Sequence, residues 1–111
     1  MKYSFEDHGP TSVLTISGEL MHDQVDVLRR VCLERLTHGV HNIVLNLEHL
    51  TMADSAALEF LLWLREELSS RQGQMRLVKL DQTVRKILEI TRLDRRFEMH
   101  DSIESAAKAL R

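Results

Sequence analysis

The apolar run at residues 42–47 limits what this chain can fold into more than any other stretch. It is nearly continuous and rich in branched side chains, which is typical of a central strand with both faces covered. Residues 22–37 before it repeat apolar side chains at three- and four-residue spacing, which predicts a helix. Because a strand over residues 11–18 precedes that helix, we expect a right-handed crossover between two parallel strands.

The first strand of the chain is expected to form an antiparallel edge of the sheet. Residues 2–6 alternate in character, with Tyr3 and Phe5 on one side of the predicted strand. A turn cluster at residues 7–10 joins this strand to the one over residues 11–18. Strands joined by so short a turn must run antiparallel.

The residues after the central run predict further helices and strands in alternation. In chain order they are a helix over about 55–71, a strand over 75–80, a helix capped by Asp81 through about residue 91, a strand over 97–99, and a terminal helix with a capping box of Asp101 and Glu104. The predicted fold class is α/β. We expect a single domain over residues 1–111, with a mixed, mainly parallel sheet of four to five strands, an antiparallel N-terminal edge and about four helices.

The composition argues against several classes of function. The formal net charge is −2 with interspersed charges, and no basic stripe indicates nucleic-acid binding. No apolar run approaches the roughly 20 residues of a membrane span. The single cysteine, Cys32, excludes an intrachain disulfide and, with no signal peptide visible, fits a cytoplasmic protein.

Asp54 and Ser55 lie where the central run gives way to a helix, whose N-terminus presents free amide donors. Two interpretations are open from local physics. In the first, one of the two side chains caps the helix by accepting a hydrogen bond from an amide one turn on. In the second, Ser55 accepts a phosphate of about −1.5 to −2 charges, which the helix N-terminus tolerates but which repels a docked apolar partner.

No group of residues indicates catalysis, a metal or a cofactor. His38 and His41 flank a glycine turn with no third ligand nearby, so surface histidines are the simpler interpretation. Ser55 is followed by alanines and so lacks the glycines of a nucleophile elbow, and the chain has no glycine-rich phosphate loop. We therefore predict a non-enzymatic protein that needs no cofactor and no metal.

Three apolar or sulfur-containing side chains on the predicted helices have both a structural and a functional interpretation. Phe60 and Trp63 extend the apolar character of their helix around its circumference, which predicts either deep burial or a face that docks a partner. Cys32 lies on the apolar stripe of its helix, so a buried structural thiol is predicted rather than a reactive one.

Five segments occur in an order and spacing that are specific as a set. They are Gly18-Glu19-Leu20, residues 42–47, Asp54-Ser55-Ala56-Ala57-Leu58, residues 84–93 followed by Phe97-Glu98, and residues 103–106. With this set the chain resembles the STAS domain, the family of anti-sigma factor antagonists. The resemblance covers nearly the whole sequence.

The resemblance implies a protein that binds a serine-kinase anti-sigma factor and thereby frees a sigma factor. It implies that the kinase, which uses the ATP, phosphorylates Ser55 and switches binding off, and that a phosphatase reverses this. The partner-binding residues that it implies are Glu19, Met21, Met52, Asp54, Ser55 and Ala56. It implies no nucleic-acid contact and no membrane insertion, and it leaves the oligomeric state open between a monomer and a weak dimer.

Three features depart from the usual pattern of the family. Ala56 and Ala57 stand where serine and glycine are usual, and alanine in place of glycine favours the helix by up to about 1 kcal/mol. Met21 stands where an acidic residue commonly follows Gly-Glu-Leu, which alters the surface expected to face the kinase. Arg92 replaces a glycine that is usual after the third helix, which concerns the end of that helix.

These departures leave a second function open. The alternative is a non-switching STAS scaffold subunit of a stress-signalling or lipid-transporter complex, which Ala56, Ala57, Met21 and the apolar pair Phe60 and Trp63 favour. A third class, small-molecule or nucleotide binding, has no sequence motif in its favour.

Overall fold

The computed structural model describes residues 1–110, which form one six-stranded sheet with helices on both faces. The strands are β1 (Lys2–His8), β2 (Thr11–Leu20), β3 (Asn42–Asn46), β4 (Leu50–Ala53), β5 (Met75–Val78) and β6 (Glu98–His100). The helices are α1 (His22–Thr37), α2 (Ser55–Ser70), α3 (Gln82–Ile90) and α4 (Ile103–Ala109), with a 3-10 turn at Asp94–Arg96.

The strand order is β1-β2-β3-β5-β6, and β4 pairs with the far end of β2. β1 and β2 are antiparallel, as the short turn between them requires, and every other pairing is parallel. The predicted α/β class, with its mainly parallel sheet and antiparallel N-terminal edge, is therefore confirmed.

The central strand β3 is covered on both faces, as its apolar run predicts. Ile43 and Leu45 point into the main core with α1 and α2, whereas Val44 joins a smaller cluster under α4. All three side chains are fully buried. Full burial of such a side chain contributes about 1.5–3 kcal/mol each, so this strand anchors both layers of helices.

The sixth strand, β4, was not expected from the sequence. It has only four residues, with buried side chains at its two ends and exposed ones between, so it shows no two-residue alternation. It forms because the bulged end of β2 leaves backbone groups that β4 can pair with. The chain therefore passes from β3 through a short strand, and not a plain loop, before α2 begins.

The predicted capping box at Asp101 and Glu104 is wrong. Ser102 caps α4, and its Oγ accepts a hydrogen bond from the Ser105 amide at 3.0 Å. Asp81 does cap α3, with Oδ2 accepting from the Thr83 amide at 3.0 Å. Both predictions relied on side chains that favour caps, and Ser102 competes with Asp101 for the same role.

Phe60, Trp63 and Cys32, for which the sequence leaves both a structural and a functional role open, have mainly structural roles. Phe60 is fully buried, and its ring stacks on that of Trp63 with centroids 6.1 Å apart. Trp63 is half-buried, with the Arg29 guanidinium 5.8 Å from its ring centroid. Cys32 is buried in the core, and desolvation raises the pKa of its thiol to about 12, as a structural thiol requires.

Among residues 1–110, no helix is both long and apolar enough to cross a membrane.

Candidate functional site

The Asp54 carboxylate ties the starts of two helices together. Its Oδ1 accepts a hydrogen bond from the Ala57 amide at 3.0 Å, which caps α2. Its Oδ2 accepts from the amide of His22, the first residue of α1, at 2.8 Å. Because each oxygen binds a different helix, one side chain fixes how α1 and α2 begin relative to each other.

These hydrogen bonds also keep Asp54 ionised. The bond from the Ala57 amide is the largest cause that lowers the pKa of the Asp54 carboxyl below its usual value. Desolvation opposes this effect, and the amide and imidazole of His22 add to it, with His22 Nδ1 3.7 Å from Oδ2. The junction therefore carries a fixed negative charge at neutral pH.

Backbone pairing brings the end of β2 alongside the junction. Glu19 pairs with Met52 and Leu20 with Ala53, after a bulge at Gly18 and Glu19. The Asp54 amide donates to the Leu20 carbonyl at 3.3 Å, which continues the pairing into the cap of α2. Gly18 has a φ of +88°, a left-handed conformation that favours glycine at this bulge.

Ser55 does not cap the helix. It is the first residue of α2, its side chain is exposed, and its hydroxyl makes no hydrogen bond to any residue in the described part of the chain. Of the two local interpretations, capping thus applies to Asp54 and not to Ser55. A modification of the Ser55 hydroxyl would leave both side-chain hydrogen bonds of Asp54, to the Ala57 and His22 amides, in place.

The structure brings the other predicted partner-binding residues to the same edge of the sheet. Glu19 is exposed, Met52 is 39% exposed, and Met21 and Ala56 are half-buried. Met21 is the N-cap residue of α1, so it directly precedes the residue whose amide Asp54 binds. We call this set, together with Asp54 and Ser55, the junction surface.

His22 is a member of this site that was not predicted from the sequence. Its backbone amide and imidazole both approach Asp54, although 32 residues separate them in sequence. No residue pattern predicts such a contact, because it depends on the packing of α1 against α2 and on the pairing of β4 with β2. The only available signal was its position directly after Met21.

The described residues contain no group of three or more histidine, cysteine, aspartate or glutamate side chains placed to hold a metal ion. The His38 Nδ1 lies 2.7 Å from the Glu34 carbonyl oxygen, at the end of α1. His38 therefore has a local structural role, and His41 is exposed on the turn beyond it.

The chain matches the sequence model of a known family and resembles several solved structures. The sequence model of the STAS domain matches residues 2–106. The Thermotoga maritima protein TM1081 superposes with a TM-score of 0.90 at 23% identity, over 97% of this chain and 93% of that one. This likeness concerns the fold.

SpoIIAA, an anti-sigma factor antagonist, is similar in two forms. Its unphosphorylated form superposes with a TM-score of 0.81 at 28% identity, over 96% of this chain and 92% of that one. Its phosphorylated form, from Bacillus, gives 0.79 at 26% identity, over 99% and 100%. The murine anion transporter Slc26a9 shares the fold at 15% identity with a TM-score of 0.77, over 95% of this chain but 18% of that one.

Proposed function

The chain belongs to the STAS domain family, and on that basis we propose that it is an anti-sigma factor antagonist that binds a serine-kinase anti-sigma factor and is switched off by phosphorylation of Ser55. The observation that carries the proposal is the exposed hydroxyl of Ser55 at the start of α2, which makes no hydrogen bond within residues 1–110. SpoIIAA, an antagonist 28% identical to this chain, supports it because that protein exists in unphosphorylated and phosphorylated forms.

Phosphorylation of Ser55 would change the surface and leave the fold intact. The phosphate would add about −1.5 to −2 charges at the N-terminus of α2, where the helix dipole favours negative charge by about 0.3–1 kcal/mol. The side-chain capping bond of α2 belongs to Asp54, so the helix keeps its start. The added charge lies beside the Asp54 carboxylate, which makes the junction surface strongly negative.

The junction surface is suited to a partner that is sensitive to this charge. Met52 and the half-buried Met21 and Ala56 offer apolar contact, whereas Glu19 and Asp54 surround them with negative charge. In the unmodified state a partner buries the apolar side chains against this edge. A phosphate on Ser55 would have to be desolvated in the same contact, which opposes binding.

The proposed role is non-enzymatic. The kinase partner supplies the ATP and the catalytic groups, a phosphatase restores Ser55, and the protein acts in the cytoplasm by sequestering the anti-sigma factor. Transcription is affected only through the sigma factor that this releases.

The phosphorylation step is tested with a serine-kinase anti-sigma factor captured by the tagged protein from its own cells. The chain is incubated with that kinase and ATP, and the product is read by intact mass. We expect one phosphate on the wild type and none on Ser55→Ala. Ser70→Ala, at the other end of the same helix, serves as the control and should accept phosphate normally, whereas equal phosphorylation of Ser55→Ala would exclude this site.

The alternative is a non-switching STAS scaffold subunit of a stress-signalling or lipid-transporter complex. Ala56 and Ala57 favour it, because both are already helical and Ala57 is fully buried, so the segment after Ser55 is rigid. Under this alternative the tagged chain co-purifies with subunits of such a complex. Its binding to them is then equal in the wild type and in Ser55→Asp.

A further inference from the structure

A second feature lies at the opposite edge of the sheet from the junction surface. A cavity of about 240 Å³ opens between the last turns of α2, the start of β5 and the 3-10 turn before β6. Its lining includes four arginines: Arg65, Arg76, Arg95 and Arg96. Ser55 and Ser69 begin and nearly end the 16-residue helix α2, so the two sites are separated by roughly 20 Å of helix.

The positive charge in this cavity is largely unpaired. Glu98 is the only acidic residue of its lining. Within residues 1–110, no carboxylate lies within 4.0 Å of a guanidinium nitrogen of Arg76, Arg95 or Arg96, although other arginines of the chain do form such pairs. Arg65 pairs with Glu66 at 3.4 Å, so three arginines without an ion pair in the described part of the chain remain around one small cavity and repel one another, in a protein whose formal net charge is −2.

Arg76 adds a second, independent observation. Its Nε atom is buried and has no hydrogen-bond partner among the described residues. Its other nitrogens donate to the Gln74 side chain and to the Met75 carbonyl, so the side chain is held in place at the start of β5. Because Nε is shielded from solvent, an anion in the cavity would contact Arg76 through its terminal nitrogens, whose bonds to Gln74 and Met75 hold the guanidinium group in place.

We propose that this cavity binds a phosphate-type oxyanion, either free inorganic phosphate or the phosphate group of a small phosphomonoester. Planar guanidinium groups donate two parallel hydrogen bonds to such oxygens, which lysine cannot do. The volume lies below the roughly 300–1,000 Å³ of pockets for drug-sized ligands, so it fits a single small anion better than a nucleotide. The proposal is independent of the phosphorylation of Ser55.

The test is a titration of the complete chain with inorganic phosphate, followed by amide NMR at constant ionic strength. We expect saturable shifts confined to residues 65–69, 73–76 and 94–98 at low-millimolar phosphate. Arg95 and Arg96 are exposed, so the double variant Arg95→Gln/Arg96→Gln should fold as the wild type does. We expect it to bind phosphate at least tenfold more weakly. Arg76→Lys keeps the charge but loses the planar group, and should weaken it severalfold.

Arg30→Gln, which removes an exposed arginine of α1 outside the cavity, is the matched control and should bind phosphate as the wild type does. O-phosphoserine and acetate complete the test: tighter binding of phosphoserine than of phosphate would identify the monoester as the ligand. Acetate binding as strong as phosphate would overturn the proposal. So would unsaturable shifts spread over the surface, or an equal loss of affinity in Arg30→Gln.

Discussion

At the scale of single residues, Asp54 is the side chain on which the candidate site depends. It caps α2 through the Ala57 amide and holds the His22 amide at the start of α1. We expect Asp54→Ala to lower the melting temperature by roughly 5 °C, because a cap and a bond between two helices are lost together. Asp54→Asn should lower it less, since asparagine also caps helices well.

The charge of Asp54 gives a pH dependence of defined sign. Its pKa in the folded protein lies below the unfolded value of about 3.9. The ionised carboxylate therefore stabilises the fold above about pH 4, and this contribution is lost as the pH falls through the folded-state pKa. The difference in melting temperature between wild type and Asp54→Asn should be full at pH 7 and shrink below about pH 4. A difference that grows on acidification would contradict this assignment.

Gly73 is required for a different reason: there is no room for a side chain at this position. A Cβ placed on it would lie 1.8 Å from the backbone oxygen of His41. We expect Gly73→Ala to destabilise the fold by about 3 kcal/mol in urea unfolding, because backbone must move to remove the clash. Gly9 is the control: a Cβ there meets nothing within 4 Å, and its φ of +63° makes Gly9→Ala unfavourable by only about 1 kcal/mol.

At the scale of secondary-structure elements, three helices end in the same way. After α1, α2 and α3, the residues Gly39, Gln72 and Arg92 adopt φ values of +94°, +63° and +61°. In each case the next residue donates its amide to a carbonyl five residues earlier, which is the Schellman arrangement. Glycine occupies the first of these positions, whereas at the other two a longer side chain adopts the left-handed backbone.

This shared ending predicts where the chain can be stabilised. Arg92→Gly and Gln72→Gly remove a left-handed strain of about 1–2 kcal/mol, partly offset by a more flexible unfolded chain. We expect each variant to be more stable by up to about 1 kcal/mol in thermal unfolding. Arg92→Val should be less stable than wild type, since a branched side chain disfavours this conformation further. An Arg92→Gly variant less stable than wild type would refute this explanation of the helix end.

At the scale of the whole molecule, the core isolates Cys32 from solvent. With its pKa raised to about 12 by burial, the thiol is almost entirely protonated at pH 8 in the folded state. We expect a thiol reagent to modify Cys32 only as fast as the protein unfolds. Full reaction within seconds in urea is the control, and equally fast reaction under native conditions would show that α1 opens locally.

The sequence predicted the sheet better than it predicted the site. The apolar run of β3 and the helical spacing of α1 are dictated by burial, and burial is visible in single-sequence periodicity. The short β4 and the pairing of Glu19 with Met52 depend on a bulge in β2, which has no sequence pattern of its own. Local chemistry predicted a cap at Asp54 or Ser55, and the aspartate takes that role because α2 begins at Ser55, one residue after it. The bond from the His22 amide to the same carboxylate could not be predicted from local chemistry.

The central claim is that a phosphate on Ser55 alters the junction surface without altering the fold. The direct measurement compares the affinity of the captured kinase for the unmodified chain with its affinity for a chain carrying phosphoserine genetically installed at position 55. We expect the Kd of the phosphorylated chain to be at least tenfold higher than that of the unmodified chain. The melting temperatures of the two chains should agree within a few degrees. Equal Kd values for two equally folded proteins would contradict the account and favour the non-switching scaffold.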